Sequence, residues 1–227
     1  MIPLRDINPR QGTPAVTYAL IGVNALIFFY QLSLNMVDER SFIMEFGLVP
    51  SLLWDDPVSQ WPALISSMFM HGGWLHLIGN MWFLYIFGDN IEDNLGHGRF
   101  LLFYICCGVS AALVHVLINS SSPLPMVGAS GAVSGLIAGY VKLFPRTKIL
   151  TLVPIFIFVQ FVELPVVVFV FLWFGYQLLM GLGSLGTLGQ QMGGVAFFAH
   201  IGGFIAGLFW IRRFYRKPNP RHGFRSH

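Results

Sequence analysis

From Ala15 to Leu34 the chain carries no charged residue. An α-helix needs roughly 20 apolar residues to cross a bilayer, and this run meets that length. Further apolar runs follow at 73–87, 100–118, 129–144, 165–180 and 195–210, each bounded by glycine, proline or charge. Only 10% of the 227 residues are charged. A soluble domain carries about 25%. With a mean hydropathy of +0.68 the chain cannot cover a water-facing surface. The expected class is an all-α membrane protein, a bundle with room for about six spanning helices. The first run lacks a short apolar core followed by a small-residue cleavage site, so it reads as a retained span and not a signal peptide.

Between the first two spans lies a long stretch, 35–70, with Asp38, Glu39, Arg40, Glu45, Asp55 and Asp56. Its apolar pieces are too short to span. Short interfacial helices are expected there, anchored by Trp54 and Trp61 at headgroup level. The stretch 146–165 is β-branched and aromatic but broken by Pro154, Gln160, Glu163 and Pro165, and it reads as a second interfacial segment, with Glu163 capping the fifth span. Residues 1–14 form a polar N-terminal segment, 15–211 the six-helix domain, and 212–227 a basic tail.

Charge sets the topology. With six spans, twelve of the 13 lysine and arginine residues fall on one side, and Arg40 alone falls on the other with five carboxylates. The positive-inside rule then makes both termini cytoplasmic. The second, fourth and sixth spans therefore run inward from the outer face. His76, Ser130 and His200 lie near the outer ends of these three spans, and Asn80 is one turn below His76.

Two ladders of small residues suggest how the fourth and sixth spans meet. Gly131, Gly135 and Gly139 are spaced by four, as are Ala199, Gly203 and Gly207. Small residues at that spacing let helix backbones pack closely. Facing ladders would bring Ser130 and His200 within reach at the top of one seam. The chemistry this permits is acyl transfer: His200 takes the Ser130 proton and Ser130 attacks a carbonyl. His76, Asn80 and the Ser130 backbone N–H would donate to the oxyanion. No carboxylate in the spans is suited to orient His200, so the pair is a dyad. His71 reads as a loop or rim residue, His115 as structural, Asn24 as an interhelical hydrogen bonder, and Glu92 either as a solvated charge or as a pin at the inner end of the second span. Cys106 and Cys107 are adjacent in an apolar run and are read as packing residues.

The series His71, His76 and Asn80, then Gly128-Ala129-Ser130-Gly131, then Ala199-His200-Ile201-Gly202-Gly203 with Gly207, resembles the rhomboid family of intramembrane serine proteases. The resemblance covers about residues 40–210, and Glu92 with Gly96 matches the family's Glu-x-x-x-Gly element. It implies a six-helix core, a catalytic Ser130–His200 dyad, and an oxyanion site from His76 and Asn80. It also implies transmembrane protein substrates cut near the outer face. Two features depart from the family pattern. The first loop has no Trp-Arg pair, and Ser134 stands where some members place a tyrosine one turn after the nucleophile.

The expected function is an intramembrane serine endopeptidase in the plasma (inner) membrane, multi-pass, with its active site near the outer face. Its partners are transmembrane substrates and the bilayer, with no nucleic acid, metal or cofactor. The alternatives are a catalytically silent rhomboid-like protein that binds membrane clients, and a transporter or proton relay through His76, His115 and His200. A metalloprotease would want H-E-x-x-H, and no histidine here precedes glutamate. The glycine-rich stretch 181–194 is expected to be a mobile lid, and Trp173 and Phe174 part of a lateral gate.

Overall fold

The computed structural model describes residues 1–10, 12–155, 158–183 and 196–215. Among these, six helices run 14 residues or longer: α1 (Ala15–Ser33), α6 (Trp74–Leu95), α7 (His97–Ile118), α8 (Ser130–Leu143), α9 (Val166–Gly183) and α10 (Ala196–Phe214). Two of them, α1 and α7, are by length and composition able to cross a membrane on their own. Large apolar side chains point outward along the bundle, among them Leu26, Leu75, Phe171 and Leu179. The 184–194 part of the expected lid and tail residues 216–227 lie outside the described residues, while residues 181–183 belong to the end of α9 and not to a loop.

The bundle is built around α8. Every residue from Gly131 to Tyr140 is buried, as expected of a helix apolar on all sides. α10 covers one flank and α7 the other. A Cβ added at Gly135 would lie 2.5 Å from Cys107 Cβ on α7 and 2.9 Å from the Gly203 carbonyl on α10. The glycines of α8 therefore serve two neighbours. The α7 side repeats the spacing, with Ala111 at Gly131, Cys107 at Gly135 and Phe103 at Gly139.

The long first loop folds into α2 (Met36–Phe46), α3 (Pro50–Asp55), α4 (Pro57–Gln60), α5 (Ala63–Ser66) and the 3-10 turn Ser67–Phe69. Asn35 caps α2 by accepting from the Val37 and Asp38 N–H groups, and Asp38 and Glu39 complement the dipole in its first turn. Pro50 and Pro57 open α3 and α4, where a missing N–H costs nothing. The loop is held without a Trp-Arg pair. Leu48 and Met126 exchange backbone bonds of 3.0 and 2.8 Å, Ser51 N–H donates to Ser122, and Gly128 N–H donates to Ser67 at 2.8 Å. The segment leading to α8 is thus laced to the first loop.

Several expectations need correcting. The second long helix does not stop at residue 87 but continues to Leu95, ending at Gly96 with φ of 76°. Its polar C-terminal end has partners. Glu92 is 1% exposed and accepts from the Val16 and Thr17 N–H groups at 2.8 Å and from Thr17 Oγ1 at 2.7 Å. It caps the N-terminus of α1, which settles Glu92 as a pin. Asn24 Nδ2 bonds the Leu20 carbonyl in its own helix and not a neighbour.

Two strands, β2 (Lys148–Ile155) and β3 (Phe158–Pro165), pair antiparallel where an interfacial segment was expected, and the N-terminal segment supplies β1 (Ile2–Asp6). The three strands make an antiparallel sheet in the order β1-β2-β3, with Asp6 opposite Ile149 and Leu150 opposite Glu163. Glu163 does not cap a helix; it pairs with Lys148 across the two strands at 3.2 Å. The sheet docks on α6 and α8. Trp82 Nε1–H donates to the Pro3 carbonyl at 2.6 Å, Asn90 Nδ2 to Asp6 at 2.8 Å, and the Tyr140 hydroxyl to the same Asp6 oxygen. β3 runs directly into α9, whose rings reach α6 at Phe83–Trp173 (5.4 Å between centroids) and Phe83–Phe169 (6.2 Å).

Candidate functional site

Ser130 is the first residue of α8. The first N–H groups of a helix have no intrahelical acceptor, and the dipole makes that end attractive to negative charge. The backbone turns into this helix through Gly128, whose φ of 123° lies in the left-handed region that glycine adopts without strain. The Ser130 side chain is half-buried. It lines a cavity of about 20 Å³, together with Met68, Gly108, Gly128, Gly131 and Ala199. That is room for about one water.

The glycine ladders meet as the sequence suggests. A Cβ at Gly203 would land on the Gly131 carbonyl oxygen, and one at Gly207 on the Gly135 carbonyl oxygen. A Cβ at Gly131 would lie 3.8 Å from the Ala199 carbonyl. The residue after Ser130 and the residue before His200 are therefore neighbours across the seam. His200 Nδ1 is buried without a hydrogen-bond partner, and among the described residues no hydrogen bond joins the ring to Ser130.

His76 and Asn80 come to the same place from α6. A Cβ at Gly128 would sit 2.6 Å from both Cε1 and Nε2 of His76, and 3.7 Å from Asn80 Nδ2. Only glycine lets the His76 ring edge approach this backbone. Asn80 is buried and its Nδ2 has no acceptor among the described residues, so it holds an unused donor beside the turn into α8.

Some residues near the site differ from their sequence reading or were missed by it. His71 is not a rim residue: it is 1% exposed and packs edge-on against His76, with ring centroids 5.2 Å apart. Gln31, unremarked in the sequence, accepts from the His71 N–H at 3.1 Å and donates to the His71 carbonyl at 3.2 Å. A glutamine in the last turn of a span looks like an ordinary flanking polar residue, and only its partner gives it meaning. Trp173 on α9 faces His200 with centroids 6.5 Å apart, while Ser134 is buried with an unpartnered hydroxyl. An aromatic neighbour of His200 thus comes from α9 and not from one turn after Ser130.

The fold and the site define a helical membrane protein in which two glycine-lined helices carry a serine and a histidine at one end of their seam. A family model, the Rhomboid domain, matches residues 58–217, and the chain belongs to the rhomboid family. It is 28% identical over 205 residues to Rhomboid protease GluP of Bacillus subtilis, covering 89% of this chain and 38% of that one. To Rhomboid protein 1, mitochondrial, of Saccharomyces cerevisiae it is 30% identical over 143 residues, covering 61% of this chain and 39% of the relative. To Putative rhomboid protease YdcA of Bacillus subtilis it is 29% identical over 136 residues, covering 56% and 61%. The chain spans less than two thirds of the length of these relatives.

Proposed function

We propose that this chain is an intramembrane serine endopeptidase that cuts transmembrane protein substrates near the outer membrane face. In this reading the six long helices all span the plasma membrane, and both termini are cytoplasmic. Ser130 Oγ attacks the scissile carbonyl while His200 takes its proton. The developing oxyanion accepts from the Ser130 backbone N–H, His76 and Asn80 Nδ2. His200 then passes the proton to the leaving amine, and a water hydrolyses the acyl-enzyme with His200 as base.

The observation that carries this reading is the backbone contact of Gly131 with Gly203, which sets the Ala199-His200 turn beside Ser130, with the His76 edge on Gly128. Two relatives bear the names of a rhomboid protease and a putative rhomboid protease, which supports the activity. Labelling by a fluorophosphonate in detergent tests it. Ser130 is expected to label in the unsubstituted chain and not in Ser130→Ala or His200→Ala. Labelling that persists in Ser130→Ala would overturn the nucleophile assignment.

A further inference from the structure

His71 sits between the 3-10 turn Ser67–Phe69 and the start of α6, outside any helix. Its backbone N–H and C=O are buried and must find partners there. Both find the same one. The side-chain amide of Gln31 offers an acceptor and a donor at the spacing of a peptide group, and it closes a two-bond ring on His71 with bonds of 3.1 and 3.2 Å. Gln31 is itself fully buried in the last turn of α1.

Neither ring nitrogen makes a full hydrogen bond among the described residues, and the Phe69 backbone is the polar group that lies close to the ring. The ring is held by packing, with its edge against His76 at 5.2 Å. His76 in turn abuts Gly128, two residues before Ser130. The contacts form one line: the Gln31 amide, the His71 backbone, the His71 ring, the His76 ring, and the turn into α8. The far end of α1 is fixed as well, by Glu92 on its first N–H groups. α1 is thereby a strut tied to the α6 limb at both ends, and Gln31 is the upper tie.

The geometry points to Gln31 as a positioning residue, which acts through His71 to hold the His76 ring at the oxyanion side of Ser130. The inference rests on the proposed role of Ser130 and His76. Gln31→Met keeps the side chain's bulk and removes both bonds. Freed from its tie, the His71 backbone shifts to find other partners and His76 moves off Gly128. A misplacement of about 1 Å can cost about a hundredfold in rate.

The experiment measures fluorophosphonate labelling of Ser130, separating kinact from KI, in four proteins: unsubstituted, Gln31→Met, His76→Ala and the double variant. Gln31→Met is expected to lower kinact about a hundredfold with KI little changed. In the His76→Ala background the same substitution is expected to change kinact little, because residues acting through one another are not additive. Gln31→Glu, which keeps the acceptor for the His71 N–H, is expected to fall between and provides the measurement if Gln31→Met does not fold. Equal losses in both backgrounds, or no loss in either, would overturn the positioning role and leave the nucleophile assignment standing. Absence of Ser130 labelling in the unsubstituted chain would instead sink the assignment on which it rests.

Discussion

The carbonyl oxygen of Gly131 occupies the place where a side chain on Gly203 would begin. Two backbones meet there with nothing between them, and the meeting point lies one residue past Ser130 and three past His200. Gly203→Ala forces α8 and α10 apart. Overpacking of this kind typically costs about 1–3 kcal/mol. The expected result is a lowered thermal midpoint in detergent together with loss of Ser130 labelling, because separation of the helices also separates the pair.

Asn80 behaves oppositely. Its Nδ2 has no acceptor among the described residues, so the folded state gains no hydrogen bond from it. Asn80→Ala should leave the thermal midpoint nearly unchanged. In the proposed reaction the same donor reaches the oxyanion, and loss of one such donor costs about 2.7–4 kcal/mol of transition-state stabilisation. The rate constant for Ser130 phosphonylation is expected to fall by about 10²–10³. An unaltered rate would exclude Asn80 from the oxyanion site.

Glu92→Gln tests the lower tie of α1. A glutamine can accept from only one side of its amide, so either Val16 or Thr17 loses its partner. Hydrogen bonds to a charged group are worth about 1.5–3 kcal/mol each. Denaturant unfolding followed by tryptophan fluorescence should show a loss of that order. Labelling of Ser130 should survive under native conditions, since Glu92 lies at the opposite end of α6 from His76.

Docking of β1 should depend on pH through Asp6. Burial raises its carboxyl pKa from 3.8 to about 6, opposed by the hydrogen bond from Tyr140 and reinforced by the charge of Asp89. The folded value lies above the unfolded one, so the contribution to stability is complete below about 3.8 and is lost as pH rises through about 6. Hydrogen exchange at residues 2–6, corrected for intrinsic rates, should show stronger protection at low pH than at neutral pH. Asp6→Asn should remove that dependence. Protection that is flat across the interval in the unsubstituted chain would contradict it.

A lateral gate between α6 and α9 makes one more expectation measurable. Phe83 and Trp173 meet across these helices at 5.4 Å. Cysteines at the two positions, joined by a short bifunctional reagent, should block cleavage of a transmembrane substrate while Ser130 still reacts with the small fluorophosphonate. Cleavage that continues after complete cross-linking would rule the gate out.

The parts of this fold that were readable from sequence are those coded by short periodicities. The glycine ladders of α8 and α10 announce a close helix contact because residues four apart share a face, and the contact is found at Gly131–Gly203 and Gly135–Gly207. The sheet was not readable in the same way. β2 and β3 carry apolar residues on both faces with Lys148, Thr151, Gln160 and Glu163 among them, so no clean alternation marks them, and β1 is five residues long with its partner far along the chain. The C-terminal end of α6 reads as a loop because Asp89, Asn90, Glu92 and Asp93 are polar. They continue the helix because Asn90 and Glu92 are used by β1 and α1. His71 and Gln31 gain their meaning only from each other, across 40 positions of sequence.

The docking of β1 also has a consequence in time. Asp6 and Tyr140 are 134 positions apart, and the strand that pairs with β1 begins later still, at Lys148. During synthesis β1 emerges long before any of the backbone it will bond, so it must wait unpaired while α1, α6, α7 and α8 are laid down. β3 then passes into α9 without a break. Closure of the three-stranded sheet therefore cannot precede the synthesis of β2 and β3, and it ties β1 to the segment that leads into α9.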